Sequence, residues 1–164
     1  MKIKISTASP DGLNRDTLIL GFFSDERPPR GYCGLVDWRL NGMISAELAG
    51  GRVSGDFMEK LLYAFPKRIR VSRLLLFGMG SWPELTYDRL YNAGYEMART
   101  ASGIQADDVA LPMPAADRGL KLPEMSEAMI TGVFDGLSGK PGALSSLCLE
   151  IPAKATHTDA IRAG

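Results

Sequence analysis

The pattern of apolar and polar residues predicts alternating strands and helices along this chain. A run of large apolar side chains fills Arg73–Gly80, with glycines at its end. This run predicts a strand that is buried on both faces at the centre of a sheet. Lysine alternates with isoleucine over Met1–Ser6, as in an edge strand with one wet face. Further strands are predicted at Thr17–Phe23, Lys60–Phe65, Asp107–Pro112 and Ser145–Ile151.

Three segments carry apolar residues at helical spacing. Leu35–Ala49 is predicted to form one helix, and Thr86 is the predicted N-cap of a second helix over about 87–102. Pro123–Leu137 gives the most regular amphipathic helix, with proline in its first turn. Such alternation of strands and helices specifies an α/β fold, a three-layer α/β/α sandwich with a mixed sheet.

Length and composition set the domain organisation. A chain of 164 residues with 45% hydrophobic residues can bury one substantial core and is too short for two ordinary domains. We predict a single domain over residues 1–151, followed by a polar C-terminal tail over residues 152–164. No apolar run approaches the roughly 20 residues that span a bilayer, and no signal peptide is visible, so a cytoplasmic location is expected.

Charge and cysteine usage exclude several classes of function. Basic and acidic residues number 19 each, so no net field attracts nucleic acid or an anionic membrane. The basic stretch from Lys67 to Arg73 has few flanking aromatics and is interpreted as a solvated strand entrance. Cys33 and Cys148 form no CxxC pair, and His157 lies away from any acidic cluster or suitable thiol. We therefore predict no metal site, no cofactor and no catalytic residue.

The junction that follows the apolar run is the candidate ligand site. Its residues are Gly78, Met79, Gly80, Ser81 and Trp82. Backbone N–H groups in a glycine turn ahead of a helix can hold a phosphate or a carboxylate. However, this turn lacks the third glycine of a dinucleotide fingerprint and the lysine of a P-loop. The alternative is a purely structural turn, which Trp82 would cover if its ring is buried and would leave open if it is exposed.

A resemblance to a known family rests on the order of short sequence words. They are TLILGFF, LVDWRLNGMISAELAGG, SGDF, LLLFGMG, YDRLYNAGYEMARTASG, DDVALPMP, EMSEAMITGVFDG and SSLCLEI. In this order the chain resembles the N-terminal domain of the leucyl aminopeptidase (cytosol aminopeptidase) family, whose fold is similar to that of macro domains. The resemblance implies a macro-domain-like architecture over nearly all of residues 1–151.

The resemblance also bears on function. The family's metal ions and catalytic residues lie in a separate catalytic domain, and no position of this sequence matches them. It therefore implies a non-catalytic, stand-alone relative that acts as a protein-interaction or assembly module, through self-association or an aminopeptidase-type partner. The alternative is a domain that binds a nucleotide or an acidic metabolite at Gly78–Trp82. Macro domains that bind ADP-ribose carry an asparagine-rich word after an early strand, and the segment Gly21–Asp25 has no asparagine.

Overall fold

The six strands of the computed structural model form a mixed sheet, and the structure describes residues 1–114 and 119–163. The chain divides into two compact units, one of residues 8–85 and one of residues 1–7 with 86–164, which we call the middle unit and the terminal unit. The predicted α/β class is confirmed. Part of the loop predicted after the Asp107–Pro112 strand lies outside the described residues.

The middle unit contains three strands and two helices. They are β2 (Thr17–Phe22), α1 (Gly31–Arg39), α2 (Met43–Ala49), β3 (Lys60–Ala64) and β4 (Arg73–Gly78), followed by a 3-10 helix at Trp82–Glu84. β2 runs parallel to β4, and β3 runs antiparallel to β4 on its other side. β4 is buried as predicted, but it lies next to the β3 edge of the sheet rather than at its centre. Burial on both faces is common to β2 and β4, so the apolar pattern could not specify strand order.

The single helix predicted over Leu35–Ala49 is wrong, because the chain forms two helices there. The break comes at Asn41 and Gly42, which both adopt positive φ, and the first helix begins at Gly31. The buried carboxylate of Asp37 accepts hydrogen bonds from the backbone N–H groups of Ile44 and Ser45, at 2.7 and 3.0 Å. Asp37 therefore caps α2 from α1 and compensates for the interruption.

The described residues of the terminal unit form three parallel strands in the order β1-β6-β5. Its elements are β1 (Lys2–Ser6), α3 (Tyr87–Gly103), β5 (Asp108–Ala110), α4 (Leu122–Ser138), α5 (Pro141–Ser146), β6 (Cys148–Pro152), a 3-10 helix at Ala155–His157 and α6 (Thr158–Ala163). β1 is an edge strand, as its lysine pattern predicts. The predicted N-cap is also confirmed, since Thr86 Oγ1 accepts from the N–H of Arg89 at 3.1 Å.

Two glycines bring the long helices of the terminal unit together. A Cβ added to Gly94 of α3 would lie closer than 3.0 Å to the carbonyl oxygen of Met129 in α4. A Cβ at Gly132 of α4 would meet the carbonyl oxygen of Tyr91 in the same way. Across this contact the Tyr91 hydroxyl donates to Asp135 at 2.9 Å. Gly94 and Gly132 therefore allow the backbones of α3 and α4 to pack closely together.

The C-terminal quarter is more regular than predicted. The strand predicted at Ser145–Ile151 begins at Cys148, because Pro141–Ser146 forms α5 with proline in its first turn. The segment 152–164, predicted as a tail, contains a 3-10 helix and α6. Ile161 is buried, and α6 packs on β1 and α4. One apolar side chain in a polar, alanine-rich segment gave too weak a pattern to indicate a helix.

Candidate functional site

The five predicted ligand-binding residues form the connection between β4 and the 3-10 helix at Trp82–Glu84. Gly80 has a φ of 77°, a conformation that favours glycine. Gly78 is required for a different reason, since a Cβ there would lie closer than 3.0 Å to the carbonyl oxygen of Asp56. The two glycines therefore have different roles. Gly80 allows the backbone to turn, and Gly78 allows the loop that contains Asp56 to pack against β4.

Four of the five backbone N–H groups of this turn donate to protein acceptors. The bonds are Gly78 N–H to Glu59 O at 2.8 Å, Met79 N–H to Phe22 O at 2.9 Å, Gly80 N–H to Gly55 O at 2.9 Å and Trp82 N–H to Asp25 Oδ1 at 2.9 Å. A phosphate or carboxylate would compete with these acceptors for the same hydrogens. The Asp25 carboxylate already stands at the start of the 3-10 helix, where an anion would be expected to bind.

Trp82 covers the turn. Its side chain is only 7% exposed, and its ring meets Phe23 edge to face with the ring centroids 4.4 Å apart. Met79 is fully buried, and Ser81 is half-buried. The Gly78–Trp82 site stays a prediction, but any ligand would need to displace or bypass Trp82 and Asp25.

The loop against Gly78 is held by one carboxylate. Glu59 accepts from the N–H groups of Ser54 and Gly55, at 2.9 and 2.7 Å, and from the Ser54 hydroxyl at 3.1 Å. Gly55 O also accepts from Gly80 N–H, and Met58 N–H donates to Gly78 O, so the loop is bonded to the turn on both sides of Asp56. The sequence showed this segment as a turn, but gave no signal that Glu59 organises it.

Two apolar surfaces of the middle unit are exposed. On α1, Trp38 is 72% exposed, with the Arg39 guanidinium carbon 5.0 Å from its ring centroid, and Leu35 lies one turn before it. A groove of about 390 Å³ beside Trp38 is lined by Pro28, Pro29, Gly34, Asp37, Trp38, Asn41 and Gly42.

The second surface is the β3 edge, which sequence reasoning missed. Leu62 and Phe65 are 44% and 77% exposed, and Phe65 has a positive φ of 51°. In the part of the chain that the structure describes, β3 pairs only with β4, so no strand covers its outer edge. The signal that could have found this edge is the position of Phe65 directly before Pro66, which ends the strand.

The polar residues that the sequence singled out differ in their surroundings. Arg73 forms an ion pair with Asp16, and although burial opposes it, hydrogen bonds from Thr17 and Arg73 lower the pKa of the Asp16 carboxyl. Burial raises the pKa of the Cys33 thiol to about 12, with Asp37 and Glu26 adding to the effect, so this thiol is protonated at neutral pH. Cys148 and His157 are half-buried in β6 and the adjoining 3-10 helix.

A buried carboxylate links β3 to α2. Glu47 is buried and forms an ion pair with Arg52. Burial, and then the hydrogen bond with Glu47, raise the pKa of the Tyr63 phenol to about 12.

Among residues 1–114 and 119–163, no group of three or more histidine, cysteine, aspartate or glutamate side chains is placed to hold a metal ion. The same residues include no helix that could cross a bilayer.

Comparisons with known proteins agree with this architecture. A family model described as the cytosol aminopeptidase family, N-terminal domain, matches residues 19–141. The chain is 22% identical over 132 residues to a probable cytosol aminopeptidase of Alkaliphilus oremlandii, and 27% identical over 113 residues to one of Pseudomonas syringae pv. tomato. These matches cover 80% and 69% of this chain, but only 26% and 23% of the relatives. The chain thus spans about a quarter of the length of the curated relatives it matches.

Solved structures show the same fold at low identity. A tomato leucine aminopeptidase mutant superposes with a TM-score of 0.72 at 22% identity, over 99% of this chain and 35% of that one. The macro domain of ganglioside induced differentiation associated protein 2 gives 0.76 at 11% identity, over 98% and 81%. A Trypanosoma brucei macrodomain in complex with ADP gives 0.77 at 13% identity, over 98% and 67%. These likenesses confirm the macro-domain-like α/β/α sandwich, and with the family match they show that the chain belongs to the N-terminal domain family of the cytosol aminopeptidases.

Proposed function

We propose that this chain is a non-catalytic relative of the aminopeptidase N-terminal domain that works through protein contacts as an interaction or assembly module. The exposure of Trp38 on α1 is the observation that carries the proposal. The family match supports the non-catalytic part, because it is to the N-terminal domain and spans residues 19–141. The expected partner is an aminopeptidase-type protein or a second copy of the chain, in the cytoplasm.

The contrast between the two tryptophans supports this choice. Trp82 is buried over the turn where a ligand was predicted, whereas Trp38 extends into solvent from a helix. Tryptophan is enriched among the residues that dominate binding energy in protein interfaces. Leu35 and the groove lined by Pro28 and Pro29 extend the apolar surface around Trp38. A surface of this kind fits a protein partner better than it fits a polar metabolite.

Capture by the tagged chain tests the proposal. We expect the wild-type chain to retain a protein from the lysate, and the retained fraction to hydrolyse aminoacyl reporter substrates. A chelator should inhibit this hydrolysis, and the purified chain alone should not hydrolyse the substrates. Trp38→Ser should reduce capture by roughly tenfold, since loss of one hot-spot side chain costs about 1.4 kcal/mol or more. Phe134→Ser on α4 is the matched control, as it also removes an exposed aromatic ring. Equal loss with both variants, or hydrolysis by the chain alone, would contradict the proposal.

A small-ligand function is the second candidate, favoured by one comparison. Trypanosoma brucei macrodomains in complex with ADP-ribose and with ADP superpose on this chain with TM-scores of 0.75 and 0.77. In this chain the ligand would use Gly78, Met79, Gly80, Ser81 and Trp82, and its anionic group would replace the Asp25 carboxylate on Trp82 N–H.

A thermal-shift series tests this second candidate. Saturating ligand at about 100 times its Kd stabilises a folded protein by about 2.7 kcal/mol. ADP-ribose, ADP and phosphate at millimolar concentration should therefore raise the melting temperature if the site binds them. Ser81→Glu would place a carboxylate beside the bound anion and cancel the shift, whereas Ser138→Glu at the exposed end of α4 would not. An unchanged melting temperature with all three compounds would exclude the candidate.

A further inference from the structure

The free edge of β3 offers an ordered set of backbone groups. Phe65 N–H donates to Ser72 O at 2.6 Å, and Gly78 N–H donates to Glu59 O at 2.8 Å. In an antiparallel pair, alternate residues of a strand direct both backbone groups towards the neighbour and the residues between them direct theirs away. The odd-numbered residues of β3 therefore bond to β4. Leu62 and Ala64 direct their N–H and C=O groups to the opposite side, where the described chain places no strand.

Between the exposed Lys60 at its start and Pro66 beyond its end, β3 carries none of the devices that usually protect such an edge. Edge strands are commonly blocked by outward charges, prolines or bulges. The only charged residue among the five of β3 is Lys60, whose ammonium lies 5.9 Å from the centroid of the Phe77 ring in β4. Leu62 at the middle of the strand and Phe65 just beyond its end are exposed instead.

We infer that β3 pairs with β3 of a second copy of this chain, antiparallel and centred on Leu62. The inference deepens the proposed assembly function and rests on it, because it names the surface and the partner of self-association. Leu62 of the two copies would exchange N–H to O=C bonds with each other, as the outward direction of its backbone allows. Ala64 of one copy would face Lys60 of the other.

The register explains why a second copy suits this edge. Antiparallel pairing about Leu62 sets the two Lys60 residues at opposite ends of the paired strands, so like charges are not opposed. At the centre of the pair, the Leu62 side chains of the two copies lie opposite each other. Two side chains of like charge at this position would repel each other. Tyr63 would lie opposite Leu61, which joins two half-buried side chains on the other face. The strand is therefore complementary to itself in both backbone direction and charge.

Charge variants at the centre of the pair provide the test. Light scattering with size-exclusion chromatography should show a dimer of the wild-type chain at about 100 µM. Leu62→Lys and Leu62→Glu should each weaken the dimer by roughly tenfold or more, because each opposes two like charges. An equimolar mixture of the two variants should recover the dimer as a heterodimer. Ile3→Lys is the matched control, since Ile3 on β1 has the same 44% exposure on the other edge strand and should leave the dimer intact.

Amide exchange adds a measurement specific to this edge. The N–H groups of Leu62 and Ala64 should exchange more slowly as the dimer forms, while those of Leu61 and Tyr63 are already protected by β4. A monomer at about 100 µM, a dimer that survives Leu62→Lys, or folded variants that do not recover on mixing would each overturn the inference. A dimer lost with Trp38→Ser but not with Leu62→Lys would leave the proposed function standing and remove this inference alone. A monomer that captures no protein would end both.

Discussion

The two edge strands of this protein, β1 and β3, differ in how they are protected. Each is five residues long and each exposes one aliphatic side chain to the same extent, Ile3 on β1 and Leu62 on β3. β1 alternates that residue with two exposed lysines, Lys2 and Lys4, whereas β3 has one exposed lysine, Lys60, at its first residue and near the ring of Phe77. Lysines along an edge discourage pairing with another chain. β1 therefore carries the charges that keep an edge solvated, whereas most of β3 does not.

The largest expected effect comes from Gly78, which supports the loop that leads into β3. Gly78→Ala would press a methyl group against the carbonyl oxygen of Asp56, and backbone cannot yield as a flexible side chain does. We expect a loss of about 3 kcal/mol in the free energy of unfolding, in the upper range of overpacking effects. Chemical denaturation measures it. Gly103→Ala at the end of α3 is the control, because no atom lies within 4 Å of its added Cβ.

That variant also separates the edges. Because Glu59 and Asp56 belong to the loop that precedes β3, the distortion should disturb β3 before β1. Amide exchange should therefore accelerate at Leu61 and Tyr63 more than at the amides of β1. Equal acceleration at both edges would show that the loop does not hold β3 specifically.

Replacing the two lysines of β1 should remove the protection of that edge. Lys2→Leu together with Lys4→Leu removes both exposed cations and leaves an apolar edge, so we expect β1 to associate about tenfold more strongly, by roughly 1.4 kcal/mol. With β3 also free to pair, light scattering should then show species larger than the dimer. Lys140→Leu with Lys154→Leu removes the same charge from exposed positions off the sheet and should not. A double β1 variant that stays dimeric would show that lysine is not what keeps this edge unpaired.

The sequence predicted the edges unequally. Period-two alternation of lysine and isoleucine identified β1 as an edge directly. The strand Lys60–Phe65 is also predicted, but its apolar residues do not mark it as an edge, because strand order depends on contacts distant in sequence. The same limit explains why β4 was placed at the centre of the sheet and lies one strand from its edge.

The candidate turn shows a similar division. Glycine at position 80 correctly indicated a tight turn, which its φ of 77° confirms. The acceptors that occupy its amides, Phe22, Gly55 and Asp25, come from other segments of the chain, and no local pattern marks them. Asp37 is a comparable case, since its role as the cap of α2 becomes visible only once Asn41 and Gly42 break the helix. Local chemistry could be predicted from the sequence, whereas the partners that close the site could not.

The smallest expected effect concerns the inner face of β3, where Tyr63 contacts Glu47. The pKa of its phenol is about 12 in the folded chain, against an ordinary value of 10.0, because burial and the Glu47 carboxylate disfavour the phenolate. Below pH 10 the phenol is neutral in both the folded and the unfolded chain, and its full contribution to the free energy of unfolding is present. As the pH rises from 10 towards 12, the unfolded chain loses this proton first, so the free energy of unfolding decreases. Tyr63→Phe cannot ionise, and its stability should fall less steeply over that interval.

Urea denaturation at about pH 9 and about pH 11.5 measures the difference between Tyr63→Phe and the wild type. We expect the advantage of the wild type to shrink or reverse at the higher pH, and Glu47→Gln to flatten the profile in part, because the carboxylate is the second cause of the shift after burial. β1 contains no tyrosine, so its protected amides should not follow this titration. If the free energy of unfolding falls equally with pH in the wild type and in Tyr63→Phe, the Tyr63 phenol is not shielded from solvent. The inner face of β3 would then be as solvated as its free edge, and the contrast with β1 would rest on the lysines alone.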